Sequence, residues 1–180
     1  SLYLKLTQGQ PLSFLLESVV GGERFGRYSF VGLPARTLVR ATDHQVEVVT
    51  DGQVVETFQG NPLDFIATYQ QRFKVAVPQG LPRFCGGLAG YFGYDTVRLI
   101  EPRLAQRPQT PGIGTPDILL LQCEELAVID NLADRLFLIV YADPSQPGAY
   151  ACAQARLSEL QARLQTGAPA PPAAPTESFP

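Results

Sequence analysis

Short runs in which bulky and polar positions alternate dominate the first half of the chain. Such period-two runs, bounded by turn-forming residues, predict strands. Residues 13–18 (SFLLES) form one, ending at Glu17 and Ser18, and after Gly21-Gly22 residues 27–32 (RYSFVG) form a second. Residues 45–50 and 53–58 flank Asp51-Gly52, a dipeptide suited to the left-handed backbone of a tight hairpin turn. A two-residue loop would set Glu47 opposite Glu56, and like charges facing each other across strands are unfavourable, so a longer loop is the alternative.

The period then changes. Asn61 can cap a helix, Pro62 suits its first position and Asp64 suits its positive end. Leu63, Ile66, Ala67, Gln70 and Phe73 would share the buried face, with Pro78 and Pro82 ending the element. Apolar residues 118–129 and 136–141, separated by 130–134, predict a long antiparallel pair with a five-residue loop. From 149 to 164, Ala149, Cys152, Ala153, Leu157, Leu160 and Leu164 recur at helical spacing among Gln, Arg and Glu, the pattern of an amphipathic helix. Strands that cluster with hairpins rather than alternate with helices place the fold in the α+β class, with a mainly antiparallel sheet and packed helices. Residues 167–180 open with a small, proline-rich run that lacks the large apolar side chains a core needs. The expected organisation is one α+β domain over 1–166 and a linker over 167–180 leading toward a further domain.

Composition narrows the function classes. With 14 Lys+Arg against 17 Asp+Glu and no basic run, the chain has no electrostatic footprint for nucleic acid or an anionic membrane. Its apolar runs fall well short of the roughly 20 residues of a membrane helix, and no basic-then-apolar leader opens it. Cys85, Cys123 and Cys152 are odd in number and widely spaced, unlike a disulfide framework or a zinc site, which suits a reducing cytoplasm.

Candidate chemistry is sparse. His44, beside Asp43 before the hairpin, reads as a solvated turn residue rather than a general base. The glycine-rich segment 86–95 (GGLAGYFGYD) has neither a P-loop lysine nor a dinucleotide fingerprint. Its glycines suit close packing, with Tyr91 and Tyr94 supplying buried area. Ser18 at a strand end, with Glu17 before it, could offer a hydroxyl and a carboxylate to an ammonium ligand, but such residues are also common where a strand turns into a loop.

The run Leu15-Leu16-Glu17-Ser18, followed by residues 21–32 (GGERFGRYSFVG), resembles the opening signature of the anthranilate synthase large subunit family. Asn61-Pro62-Leu63, the segment 86–95, Pro116-Asp117, Glu124-Glu125-Leu126 and Asp130-Asn131 resemble the same family in the same order, covering most of the chain to about Asp143. The resemblance implies a parent enzyme that converts chorismate and ammonia to anthranilate and pyruvate with Mg²⁺. Ammonia would come from a glutamine amidotransferase subunit. The family's chorismate and Mg²⁺ sites lie in a C-terminal domain, so the resemblance implies no catalytic residue, cofactor or metal site here. What it implies instead is feedback regulation by L-tryptophan bound between this region and that domain. Ser18 matches the family's tryptophan serine, with Leu16 and Glu17 beside it, and Arg27, Tyr28 and Ser29 would line the same site from the neighbouring strand. Two alternatives are the corresponding region of aminodeoxychorismate synthase and a non-regulatory scaffold that docks the amidotransferase.

Overall fold

The computed structural model describes residues 1–20, 24–105 and 114–167. Most of the expected linker lies outside the described residues. Within them the backbone groups into two compact units, Ser1–Pro34 with the chain from Glu125 onward, and Ala35–Glu124. Each is a sheet of antiparallel pairs with helices, in keeping with the expected α+β class.

In the first unit, helix α1 (Leu2–Thr7) precedes strands β1 (Phe14–Val20) and β2 (Arg24–Gly32), and the chain returns later as β8 (Glu125–Asp130), β9 (Arg135–Val140) and helix α4 (Ala149–Gln165). The sheet order is β1-β2-β8-β9, which leaves β1 at one edge. Alternation aims Val31 and Ala127, paired across β2 and β8, at the same face. There they meet Leu6 of α1 and Leu160 of α4 in a core where all four are fully buried. The helix termini are tied as well: Lys5 Nζ donates to the Leu164 carbonyl at 2.8 Å and Arg163 to the Leu6 carbonyl at 3.0 Å. Helix α4 matches its expected span, although Cys152 lies exposed rather than on the buried face.

The second unit contains β3 (Thr37–Thr42), β4 (Gln45–Thr50), β5 (Gln53–Gln59), helix α2 (Pro62–Gln71), β6 (Gly87–Phe92), the short helix α3 (Pro102–Ala105) and β7 (Ile118–Cys123), with sheet order β5-β4-β3-β7-β6. Val39 and Ala41, Val46 and Val48, and Ile118 and Leu120 come from neighbouring strands to one face, where Phe65, Ile66 and Tyr69 of α2 cover them. Asn61 caps α2 as expected, its side chain accepting from the Leu63 amide at 3.0 Å. The buried face differs from expectation: Phe65 and Tyr69 replace Ala67, Gln70 and Phe73. The arc 62, 65, 66, 69 has the same helical spacing but carries more aromatic area, and Phe65 packs against Phe58 and Tyr69 with ring centroids 5.2 and 5.9 Å apart.

The β4–β5 hairpin keeps the two-residue loop, with Asp51 and Gly52 both left-handed at φ 50° and 80°. The objection from like charges is met inside the ladder. Val49 pairs with Val54 and Val48 with Glu56, so Val55 is an extra, bulged residue that moves Glu56 away from Glu47. Arg40 then neutralises Glu47 at 2.7 Å, and Arg72 binds Glu56 at 2.7 and 2.8 Å.

Two further expectations change. Residues 118–129 are two strands, β7 and β8, that break at Glu124 and join different sheets, so the expected long pair is only the β8–β9 hairpin. In the glycine-rich segment, close packing holds at Gly90, but Tyr91 and Tyr94 are exposed instead of buried, Tyr94 at 93%. Gly93 donates to the Asp117 carbonyl at 2.7 Å where the chain leaves the sheet, and Tyr94 opens the 3-10 turn beyond it.

Candidate effector site on strands β1 and β2

The six residues expected to bind an effector fall on one antiparallel strand pair. Leu16, Glu17 and Ser18 belong to β1; Arg27, Tyr28 and Ser29 belong to β2. Leu16 pairs with Phe30 and Glu17 with Ser29, after which the register shifts and Val19 pairs with Phe25. Three β2 residues, Gly26, Arg27 and Tyr28, therefore stand against Ser18 alone, the signature of an enlarged bulge. The Ser18 side chain lies outside the described side chains, as do those of Val19 and Val20.

Strand β1 packs where β2 lets it. At Gly32, opposite Phe14, an added Cβ would stand 2.1 Å from the Phe14 ring, so the ring lies directly over the glycine. On its outer side β1 has no strand partner among the described residues. Such an edge presents backbone N–H and C=O groups together, and here Leu16 beside them is 51% exposed. Donors, acceptors and apolar surface in one place suit a zwitterion with a hydrophobic side chain.

The β2 residues are differently occupied. The Arg27 guanidinium reaches Asp130 at the end of β8, with Nη2 to Oδ2 at 3.0 Å and Nε to both oxygens at 3.3 Å, and stacks over the Tyr28 ring at 4.8 Å. Asp130 is only 4% exposed and its carboxyl is held below the ordinary carboxylate range, chiefly by the Arg27 hydrogen bond, with the Ala133 and Leu132 amides adding to it. Ser29 is buried and accepts from Asn131 Nδ2 at 3.3 Å. Arg27 is thus neither a solitary surface charge nor a free cation, and Ser29 faces the interior. The sequence places Asp130 and Asn131 in a loop and among the segments of the resemblance but gives them no part in the site; no periodicity could join them to residues about a hundred positions earlier.

Among the described residues no group of three or more His, Cys, Asp or Glu side chains is placed to hold a metal ion. Nor is any helix among them long and apolar enough to cross a membrane.

No protein-family model matches the chain. Individual relatives do. It is 51% identical over 168 residues to anthranilate synthase component 1 of Neisseria meningitidis serogroup C, covering 92% of this chain and 34% of the relative. The same protein of Pseudomonas aeruginosa is 52% identical over 166 residues, again covering 92% and 34%. A crystal structure of anthranilate synthase component I from Streptococcus pneumoniae superposes with a TM-score of 0.59 at 25% identity, covering 84% of this chain and 32% of that one. The chain thus spans about a third of the length of the relatives it matches. By sequence and by fold it belongs to the anthranilate synthase component 1 family, corresponding to the N-terminal third of those proteins.

Proposed function

We propose that this chain is the feedback-regulatory part of an anthranilate synthase large subunit, binding L-tryptophan on the β1–β2 pair and carrying no catalysis by itself. The whole protein would act in the cytoplasm on chorismate with Mg²⁺, taking ammonia from a glutamine amidotransferase subunit and releasing anthranilate and pyruvate. The observation that carries this reading is the 51% identity over 168 residues to component 1 of anthranilate synthase. The edge position of β1 supports the choice of site, because a zwitterionic amino acid needs acceptors for its ammonium and donors for its carboxylate at one place.

In this reading the Ser18 hydroxyl and β1 carbonyls accept from the ammonium, Glu17 supplies negative charge nearby, and Leu16 offers apolar surface to the indole. Tyr28 and Arg27 would bound the site from β2, with the Arg27 charge already balanced by Asp130. Ser29, being buried, would act through its bond to Asn131 rather than by touching ligand. Inhibition follows if tryptophan bridges this surface and the chorismate-binding domain, favouring an arrangement in which turnover is slow.

Two assays test the reading. Chorismate, Mg²⁺ and ammonia supplied to this chain alone should give no fluorescent anthranilate; product above the buffer blank, abolished by a chelator, would overturn the non-catalytic role. Calorimetric titration of the full-length protein with L-tryptophan should show saturable binding. Its absence would leave scaffolding of the amidotransferase as the better account.

A further inference from the structure

A strand with three residues opposite one must find partners for the backbone groups that the regular ladder no longer serves. At this stretch of β2 the β8–β9 turn, which continues the β2–β8 register beyond the Tyr28–Asp130 pair, supplies bonds to the backbone and adds one to the Gly26 carbonyl. The Asn131 amide N–H donates to the Arg27 carbonyl at 2.7 Å, and Asn131 Nδ2 donates to the Gly26 carbonyl at 2.9 Å and to Ser29 Oγ at 3.3 Å. One residue thus occupies two successive carbonyls of the bulge. Asp130 completes the brace by gripping the Arg27 side chain, and its Oδ1 also accepts from the Leu132 and Ala133 amides at 3.2 Å. The two neighbours divide the work: Asp130 shapes its own turn as well as holding β2, whereas the Asn131 bonds named here all reach out to β2. Gly26 is buried, so its carbonyl would lose a donor that water cannot readily replace.

From this geometry we propose that Asn131, backed by Asp130, is a positioning residue for the effector site. By holding the Gly26–Arg27–Tyr28 bulge, it fixes the backbone across from Ser18 and so sets the affinity of β1 for an amino acid. The inference rests on the reading of β1 and β2 as the tryptophan site. It goes beyond that reading by making a turn that touches no ligand a determinant of feedback strength.

The test uses Asn131→Ala, which removes the side-chain bonds and leaves the backbone bond to Arg27. Asn131 lies at the surface, so truncation opens no cavity in the core. Leu164→Ala, a partly buried residue packed against the α1–α4 core, serves as a control that lowers stability without touching the bulge. Calorimetry on the full-length protein should show Asn131→Ala binding L-tryptophan about 10-fold more weakly, the loss expected for one hydrogen bond's worth of misplacement. Leu164→Ala should bind as the wild type does. In amide NMR spectra of this chain, Asn131→Ala should move resonances at 17–19 and 25–29 and leave those of β9 beyond residue 137 in place. Should Asn131→Ala fail to fold, Asn131→Asp keeps the shape while deleting the donors, and the same shifts and affinity loss are expected. Wild-type affinity in these variants, or a loss matched by Leu164→Ala, overturns the positioning role alone. Failure of the wild type to bind tryptophan overturns the effector reading itself.

Discussion

Gly90 is where the packing account of the glycine-rich segment can be tested most severely. It pairs with Leu120 in the β6–β7 ladder, and β7 is an inner strand held between β3 and β6. A Cβ added at Gly90 would stand 1.9 Å from the Leu119 carbonyl oxygen and 2.9 Å from the Leu119 carbonyl carbon and the Leu120 Cα. These are backbone atoms, so no rotamer change relieves the overlap; the strands must separate by more than an ångström and stretch the bonds between them. Overpacking costs about 1–3 kcal/mol, and each ladder bond lost adds about 1 kcal/mol, so Gly90→Ala should destabilise by about 3 kcal/mol or more. At roughly 2–4 °C per kcal/mol for a domain of this size, the melting midpoint should fall by about 6–12 °C. Gly167→Ala, with nothing within 4 Å of the added carbon, should stay within about 0.5 kcal/mol of wild type. Thermal and urea unfolding by circular dichroism measure both. If Gly90→Ala unfolds within 1 kcal/mol or so of wild type, Gly90 is not there for close backbone approach, and a ligand role for the segment regains ground.

Other expectations concern titratable groups. Asp130 titrates lower in the folded chain than unfolded, so its contribution to stability is fully present above the ordinary carboxylate pKa of about 3.9 and is lost as pH falls through the lower folded value. Asp130→Asn should therefore flatten the acid limb of a stability-versus-pH curve, and an unchanged limb would count against the Arg27–Asp130 pair. Burial pushes the Cys123 thiol up to about 11, Cys85 is buried, and Cys152 is exposed. Iodoacetamide at neutral pH should label Cys152 in the native chain and all three cysteines after unfolding; rapid native labelling of Cys123 would contradict its burial. Arg156 binds Glu125 bidentately at 2.8 to 3.1 Å, linking α4 to β8, so Arg156→Met should lower stability by about 1–3 kcal/mol in urea titration, more than an exposed pair would.

What was legible in the sequence was local. The Asp51-Gly52 turn, the Asn61 cap and the span of α4 each depend on residues within a few positions of one another. The buried face of α2 was misread because two arcs share the helical period, and only the partner sheet decides that Phe65 and Tyr69 go inside. The break at Glu124 was hidden because apolar residues continue through it; nothing local says that β7 and β8 join different sheets. For the candidate site, Ser18 and Glu17 stand out at a strand end, the resemblance singles them out with Leu16, and the pairing with β2 follows from chain order. The brace of Asn131 on Gly26 and Ser29 spans more than a hundred positions and is a fact of topology, which places β8 beside β2.

The central claim, that β1 holds the effector, is tested most directly at Ser18. Removing one hydrogen bond to a charged group costs about 1.5–3 kcal/mol, so Ser18→Ala in the full-length enzyme should weaken inhibition by L-tryptophan on the order of 10- to 100-fold, with chorismate turnover in its absence nearly unchanged. The isolated chain, offering only part of the site, should bind no tighter than millimolar, about 4 kcal/mol. It contains no Trp, so the fluorescence of the ligand reports binding against weak tyrosine emission alone. Inhibition of Ser18→Ala at the wild-type tryptophan concentration would contradict the account.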